Sequence, residues 1–213
     1  MTSLIKLILT LALIFISIFL LLNTTGIVTL DKIKVWLSVA QNISPVYVVA
    51  LVVGLLIVDL IISVPTLALT ILSGFFLGAA MGASAAIAGL LLSGSLGYWL
   101  SYHYGERYLG WVLKHPEARQ EATQSFEKHG TTMIFLSRAV PMLPEISACM
   151  AGVTRMPYRK FIAAWLVGCV PYCIIASYAG SISTIENPTP AIIGAVALMT
   201  SLWLGWLYFK KRQ

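Results

Sequence analysis

Charged residues are scarce in this chain of 213 residues: Asp, Glu, Lys and Arg together make up 10% of it. Soluble domains normally carry about a quarter charged residues. A buried core does not explain the deficit, because a globule of this length still needs a solvated surface. With 59% apolar residues, the composition excludes an ordinary soluble domain and predicts an integral membrane protein.

Charges are absent from several long runs of the sequence. Four of these runs are long enough to cross about 30 Å of hydrocarbon as a helix, which takes roughly 20 residues. They cover residues 7–30, 35–58, 161–185 and 187–209. A fifth charge-free run covers 60–105. It is about twice the length of one span, so it must cross and turn back, or combine a hairpin with a span.

Residue patterns that bind metals, nucleotides or nucleic acids are also missing. Cys149, Cys169 and Cys173 all lie in apolar stretches, and the pair Cys169 and Cys173 has no His or carboxylate at ligand spacing, so no metal and no cofactor is predicted. The basic residues are scattered along the chain, which argues against a nucleic-acid partner. An enzyme would need a nucleophile with a base, or a metal cluster, at membrane depth. Ser147 near Glu145 is the only candidate and neither predicted hairpin contains a histidine, so no enzyme is predicted.

The N-terminal segment, 1–45, is interpreted as one uncleaved transmembrane span followed by an interfacial helix. The span covers about 7–22. Residues 29–42 place apolar side chains at helical spacing on one face and polar side chains elsewhere. This segment is too polar to span, so it is predicted to lie in the head-group plane.

Residues 46–185 are predicted to form the main domain, which begins with a re-entrant hairpin at 46–78. Its two apolar arms are separated by Pro65, which lacks a backbone donor. A break inside hydrocarbon is tolerated only where protein or a wet cavity surrounds it. The hairpin tip is therefore placed near Pro65 and its exit at Gly74, with a span at 83–102.

Three further segments are a polar cytoplasmic linker at 106–130, a span at 161–182 and a C-terminal span with a basic tail at 186–213. Suppose that both termini, the linker and the turn at 155–160 face the cytoplasm. Eleven of the 14 Lys and Arg residues then lie inside, as the positive-inside rule requires. The rule predicts a multi-pass protein of the cell membrane with its N- and C-termini in the cytoplasm.

A second re-entrant hairpin is predicted at 131–152, with Pro141 and Pro144 at its bend and Gly152 at its exit. Both hairpins carry a Val-Pro pair, a later glycine and a following span. This matching order predicts an inverted repeat: an all-α polytopic membrane protein with two oppositely inserted re-entrant hairpins and about four full transmembrane helices. The prolines and glycines are the predicted hairpin tips and hinges.

Three charges fall inside the hairpins: Asp59 in the first, Arg138 and Glu145 in the second. A charge at the bilayer centre costs roughly 2.5–3.5 kcal/mol on insertion scales, so pairing or a wet cavity is expected. One interpretation is an ion pair between Asp59 and Arg138 that only holds the hairpins together. The other is a binding site, in which Arg138 binds an anionic head group and the two carboxylates carry protons or bind sodium.

The stretch from Phe135 to Phe161, FLSRAVPMLPEISACMAGVTRMPYRKF, resembles the DedA or VTT-domain membrane proteins, also called SNARE-associated Golgi proteins. The motifs GFFLG and GASAAIAGLLLSGSLGYWLSYHYG extend the resemblance to about 45–185. It implies two opposed re-entrant hairpins and movement of lipids between leaflets. Arg138 matches the first arginine of the family motif R-x-x-P-x-x-R, whereas Pro144 occupies the position of the second arginine. The VPMLPE form looks more like the TVP38-like branch.

The predicted function is therefore translocation of a membrane lipid between leaflets, as a flippase or scramblase. The resemblance implies an anionic phospholipid or undecaprenyl phosphate as the partner, with protons or sodium as coupling ions. One alternative is a proton- or sodium-coupled transporter of a small solute. Another is a membrane-homeostasis or assembly factor without transport activity. Whether the protein forms a homo-oligomer is left open.

Overall fold

The computed structural model describes residues 44–60, 65–112, 116–139, 143–184 and 186–211. The chain divides into two units, 1–43 and 44–213, and every element given below belongs to the second. The span at 7–22 and the interfacial helix at 29–42 lie outside the described residues, so both stay predictions.

The described part of the chain is all-helical, with seven α-helices and one short 3-10 helix. In chain order they are α1 (Pro45–Val58), α2 (Thr66–Leu77), α3 (Ala79–Val112), α4 (Pro116–Leu136), the 3-10 helix (Ser137–Ala139), α5 (Leu143–Val153), α6 (Tyr158–Ser181) and α7 (Thr189–Lys211). The predicted all-α class is confirmed.

Two of these helices are long and apolar enough to cross a membrane. They are the first 27 residues of α3, Ala79–Gly105, and the whole of α6, 24 residues. Both exceed the roughly 20 residues that a crossing requires, and they contain the predicted spans at 83–102 and 161–182 almost entirely. The other apolar segments, α1, α2, α5 and Thr189–Gly205 of α7, have 10–17 residues each.

Prolines mark where several helices begin. Pro45 opens α1, Pro116 opens α4, and Pro65 and Pro157 are the residues just before α2 and α6. The missing N–H of proline costs nothing at these positions, because the first N–H groups of a helix have no partner within the helix. Pro65, which predicts a break in the first apolar segment, is thus also the residue just before a helix start.

The turns that lead into α3 and α6 hold the two positive-φ residues found in the described ranges. Gly78, before α3, has φ 77° and ψ 169°, a conformation open essentially to glycine alone. Arg155, before α6, has φ 53°. The Arg155 N–H donates to the Gly152 carbonyl and the Met156 N–H to the Ala151 carbonyl, both at 3.0 Å. This is a Schellman motif with arginine where glycine is usual.

The left-handed conformation of Arg155 is strained. It brings the Cβ atom of an L-residue close to the following carbonyl oxygen and costs roughly 1–2 kcal/mol. The pair of backbone hydrogen bonds at the end of α5 compensates part of this cost.

Glycines allow α2 to pack against α6, and α5 against α3. Gly74 of α2 lies directly on the Ser177 carbonyl of α6, and Gly152 of α5 lies on the Tyr98 carbonyl of α3. A Cβ atom at either glycine would overlap that backbone. Close backbone approach at small residues is the usual way in which helices pack in a membrane. The short helices α2 and α5 therefore each pack closely against one of the two long helices, α6 and α3 respectively.

Large apolar side chains cover much of the outside of the helices. Those on α1, α6 and α7 include Val46, Tyr47, Leu51, Val167, Ile174, Ile175, Ile192, Ile193, Val196 and Leu204, all exposed. Soluble monomers rarely expose continuous apolar surfaces of this kind. The outward faces suit hydrocarbon better than water.

The predicted linker at 106–130 is largely helical. Helix α3 continues to Val112, and α4 runs from Pro116 through Gly130 to Leu136. The boundary predicted at 130–131 therefore lies inside a helix. Gly130 is buried against Phe126 and Met156, so packing compensates the roughly 1 kcal/mol that glycine costs in a helix interior.

Candidate functional site

Two breaks in the helical chain carry the predicted site charges. Asp59 directly follows α1, Arg138 lies in the 3-10 helix, and Glu145 lies in the first turn of α5. Residues 61–64 and 140–142, next to these positions in the sequence, lie outside the described ranges. Pro141 is among them, so its role as a hairpin tip stays a prediction.

Arg138 is buried, with 7% of its surface exposed. Its guanidinium donates a hydrogen bond to the Cys169 Sγ at 3.1 Å. The Cζ atom lies 4.9 Å from the centroid of the Trp165 ring and 5.8 Å from that of Tyr172, within the range of cation–π attraction. The three partners are four and three residues apart on α6, so they share one helix face.

The residues around Arg138 are themselves held in place. The Trp165 Nε1–H donates to the Leu90 carbonyl of α3 at 3.0 Å, which fixes the indole over the guanidinium. The Tyr172 phenol lies beside the Thr66 hydroxyl at the start of α2. The α6 face that contacts Arg138 is thereby held against α3 and α2.

Glu145 brings the three predicted charges together. Its carboxyl is close enough to Asp59 and to Arg138 to interact electrostatically with both. Asp59 is buried, with 5% of its surface exposed. The Glu145 Oε2 is buried and has no hydrogen-bond partner among the described residues. A buried oxygen of this kind normally has a donor.

The contact between the two carboxyl groups constrains their protonation. An ionised carboxylate only accepts hydrogen bonds, so two carboxyl groups can bond to each other only if one of them holds a proton. The cluster of Asp59, Glu145 and Arg138, here called the charge cluster, can thus hold a proton and an anion-binding group in one place.

Of the other predicted site residues, three are buried in the packing between or within helices and one is exposed. Gly74 and Gly152 are buried where helices cross, Pro144 is buried in the first turn of α5, and Pro65 is exposed before α2. Their predicted role as hinges stays a prediction. In the described ranges, no group of three or more His, Cys, Asp or Glu side chains could hold a metal ion.

Trp165, Cys169 and Tyr172 are the site residues that the sequence did not reveal. Their spacing indicates a common helix face, and this is the one signal available. That the face lies against Arg138 depends on packing between residues about 30 positions apart in the chain, as for Arg138 and Cys169.

Comparisons with known proteins place the chain among membrane proteins. An uncharacterized membrane protein of Synechocystis (slr0232) is 32% identical over 144 residues, 59% of this chain and 64% of that protein. The inner membrane protein YghB of Escherichia coli K12 is 31% identical over 139 residues, 57% of this chain and 63% of YghB. Undecaprenyl phosphate transporter A of Bacillus subtilis is 27% identical over 131 residues, 54% of this chain and 63% of the transporter.

The matches leave part of each protein uncovered: the chain spans just under two thirds of the length of these relatives. No solved structure gives a significant match. The assignment to the TVP38-like branch stays a prediction. The profile of the VTT domain matches residues 64–182, more than half of the chain. DedA of Escherichia coli is also similar to this chain. The domain match covers α2 to α6 and most of the charge cluster, and the chain is therefore a membrane protein of the VTT-domain family.

Proposed function

We propose that this protein moves a phosphate-bearing lipid between the leaflets of the cell membrane, with Arg138 binding the phosphate and the Asp59–Glu145 pair carrying a proton. The head group passes through the charge cluster between two opposed re-entrant hairpins, while the acyl chains stay in the surrounding lipid. The observation that carries the proposal is a buried guanidinium beside a carboxyl group with an unsatisfied oxygen.

Arg138 has unused capacity to bind an anion. A guanidinium has five N–H donors in a planar fork. In the described ranges, one of them donates to a thiol, a weak acceptor, and two aromatic rings lie over the group. The remaining donors suit two oxygens of a phosphate, which arginine binds through two parallel hydrogen bonds.

The carboxyl pair gives a physical reason for coupling to protons. With one shared proton, the pair balances Arg138 and the charge cluster is close to neutral. A phosphate that enters adds negative charge in a region of low dielectric, where uncompensated charge is costly. A second proton on the pair restores the balance. The lipid phosphate and a proton therefore enter and leave together.

The name of one relative supports a lipid phosphate as the ligand. Undecaprenyl phosphate transporter A of Bacillus subtilis shares 27% identity over 131 residues with this chain. Phospholipids and polyprenyl phosphates share the phosphate group that Arg138 would bind. The proposal names this shared chemistry, and the assay distinguishes the two classes of lipid.

The test is a translocation assay with the full chain in proteoliposomes that contain labelled phosphatidylglycerol, phosphatidylethanolamine or a polyprenyl phosphate. Native protein is compared with Arg138→Gln, with or without an imposed pH gradient. We expect translocation of at least one lipid, faster under the gradient, and a loss of about tenfold or more in the variant, because one charge-assisted contact contributes roughly 1.5–3 kcal/mol. Lys128→Gln removes an exposed positive charge of α4 and serves as the matched control.

Folded protein that moves no lipid faster than empty liposomes, with or without the gradient, would contradict the proposal. Uptake of a soluble anion under the same gradient would favour the ion-coupled solute transporter. Equal translocation rates for native protein and Arg138→Gln would show that Arg138 does not bind the lipid during translocation, even if lipid moves.

A further inference from the structure

We propose a second binding site, separate from the charge cluster, in which the turn between α5 and α6 binds the phosphate of an anionic phospholipid at the membrane surface. This turn site consists of Arg155, Arg159 and Lys160 together with the rings of Tyr102 and Tyr158. It holds its lipid at the membrane surface and does not require that any lipid be translocated.

The first observation is the backbone at Arg155. A Schellman motif selects glycine at this position, and the corresponding turn before α3 has Gly78. The conformation is firmly fixed, because the Tyr98 Oη–H donates to the Met156 carbonyl at 2.6 Å in addition to the two backbone hydrogen bonds of the motif. A strained residue kept where glycine would fit better points to a role for its side chain.

The second observation is the position of the positive charges. The Cζ atom of Arg155 lies 5.5 Å from the centroid of the Tyr102 ring. Arg159 and Lys160 are exposed in the first turn of α6, which contains no acidic residue. Cations are unfavourable at a helix N-terminus, where the helix dipole is positive. In the described part of the chain, no ion pair compensates these three side chains, so the turn is electrostatically suited to an anion.

The third observation is the cluster of aromatic side chains beside the turn. The Trp99 ring lies 5.7 Å from the Tyr158 ring, and Tyr98 and Tyr102 stack at 6.0 Å. Trp99 and Tyr104 are 46% and 65% exposed. Exposed Trp and Tyr next to basic residues are typical of the interface between head groups and hydrocarbon.

These features favour a lipid over a soluble phosphate. Leu96 and Leu100, one turn apart on α3 and within three residues of Trp99 in the sequence, are exposed apolar side chains on the helix that carries Tyr102. The basic side chains complement a phosphate, and the α3 surface complements the chain attached to it. A free phosphate would use the first feature alone.

The experiment measures the binding of a short-chain phosphatidylglycerol to the full-length protein in detergent by native mass spectrometry. All proteins carry Arg138→Gln, so that lipid bound at the proposed translocation site is not counted. The key variant is Arg155→Gly, which removes the charge and relieves the backbone strain. We expect its melting temperature to be unchanged or higher and its affinity to fall roughly fivefold. Arg155→Lys, which keeps the charge, should bind nearly as well as the parent.

Two controls make the result decisive. Lys128→Gln, which removes an exposed charge elsewhere, should leave binding unchanged, and phosphatidylcholine should bind equally to all variants. Arg155→Gly with parental affinity for phosphatidylglycerol would overturn the proposal, as would displacement of the lipid by millimolar inorganic phosphate. Because translocation is not measured, a failure here leaves the function proposed for Arg138 untouched, and the reverse also holds.

Discussion

The two turns that lead into the long helices α3 and α6 have the same place in the fold and different chemistry. The first uses Gly78 in a conformation reserved for glycine, and the second forces Arg155 into a left-handed conformation. The charged residues differ in the same way: the acidic Asp59 follows α1, whereas Arg138 and Glu145 lie in the 3-10 helix and in α5. The close glycine contacts of α2 and α5 are alike, whereas the basic groups of the charge cluster and the turn site all lie between residues 138 and 160.

This comparison separates residues needed for packing from residues needed for binding. Gly74 and Gly152 occupy matching positions where a short helix meets a long one, each against a backbone carbonyl. The charge cluster draws on both halves but has no such symmetry. The packing should therefore be sensitive to size alone, and the two proposed sites to charge.

The largest effect is expected from Gly74→Val. Its Cβ atom would overlap the backbone of Ser177, and backbone cannot move aside as a flexible side chain can, so the variant should lose about 3 kcal/mol or more of stability. Gly54→Val is the matched control, because a Cβ atom there meets nothing within 4 Å. Thermal unfolding in detergent measures the difference, and equal melting temperatures would show that the close approach of α2 and α6 is not required.

Glu145→Gln should have the next largest effect, on transport rather than on folding. The glutamine side chain can donate a hydrogen bond to Asp59 without a proton, so the contact survives while the proton site is lost. We expect the acceleration of lipid movement by a pH gradient to fall about tenfold, with an unchanged melting temperature. A gradient response equal to that of native protein would separate the carboxyl pair from proton coupling.

The smallest effects should come from exchanging the chemistry of the turns, and they should have opposite signs. Gly78→Ala should destabilise by about 1–3 kcal/mol through backbone strain alone, because its Cβ atom would meet nothing within 4 Å. Arg155→Gly should stabilise by about 0.5–1 kcal/mol, since relief of strain exceeds the entropy that glycine loses on folding. Chemical or thermal unfolding of both variants tests this, and shifts of the same sign would contradict it.

The sequence predicts the parts of this fold that depend on local chemistry. Charge-free runs locate the spans in α3 and α6, and Pro65 locates the start of α2, because lipid and backbone geometry constrain them directly. The grouping of Asp59, Arg138 and Glu145 as the candidate site came from the cost of charge at membrane depth.

What could not be predicted depends on tertiary packing. The continuation of α4 through Gly130 requires the contacts with Phe126 and Met156, which no local pattern indicates. The thiol and the rings around Arg138 lie on a helix that begins about 20 residues later. The strain at Arg155 depends on two hydrogen bonds whose acceptors belong to α5.

The thiol of Cys169, which accepts a hydrogen bond from Arg138, gives the protein a built-in reporter of solvent access. It is 1% exposed, so a water-soluble maleimide can alkylate it only when water enters beside Arg138. In a chain with Cys149 and Cys173 replaced, the alkylation rate would count these openings from either side of the membrane, without any labelled lipid. If the proposed transport opens the charge cluster to one side of the membrane at a time, the two labelling rates will change in opposite directions.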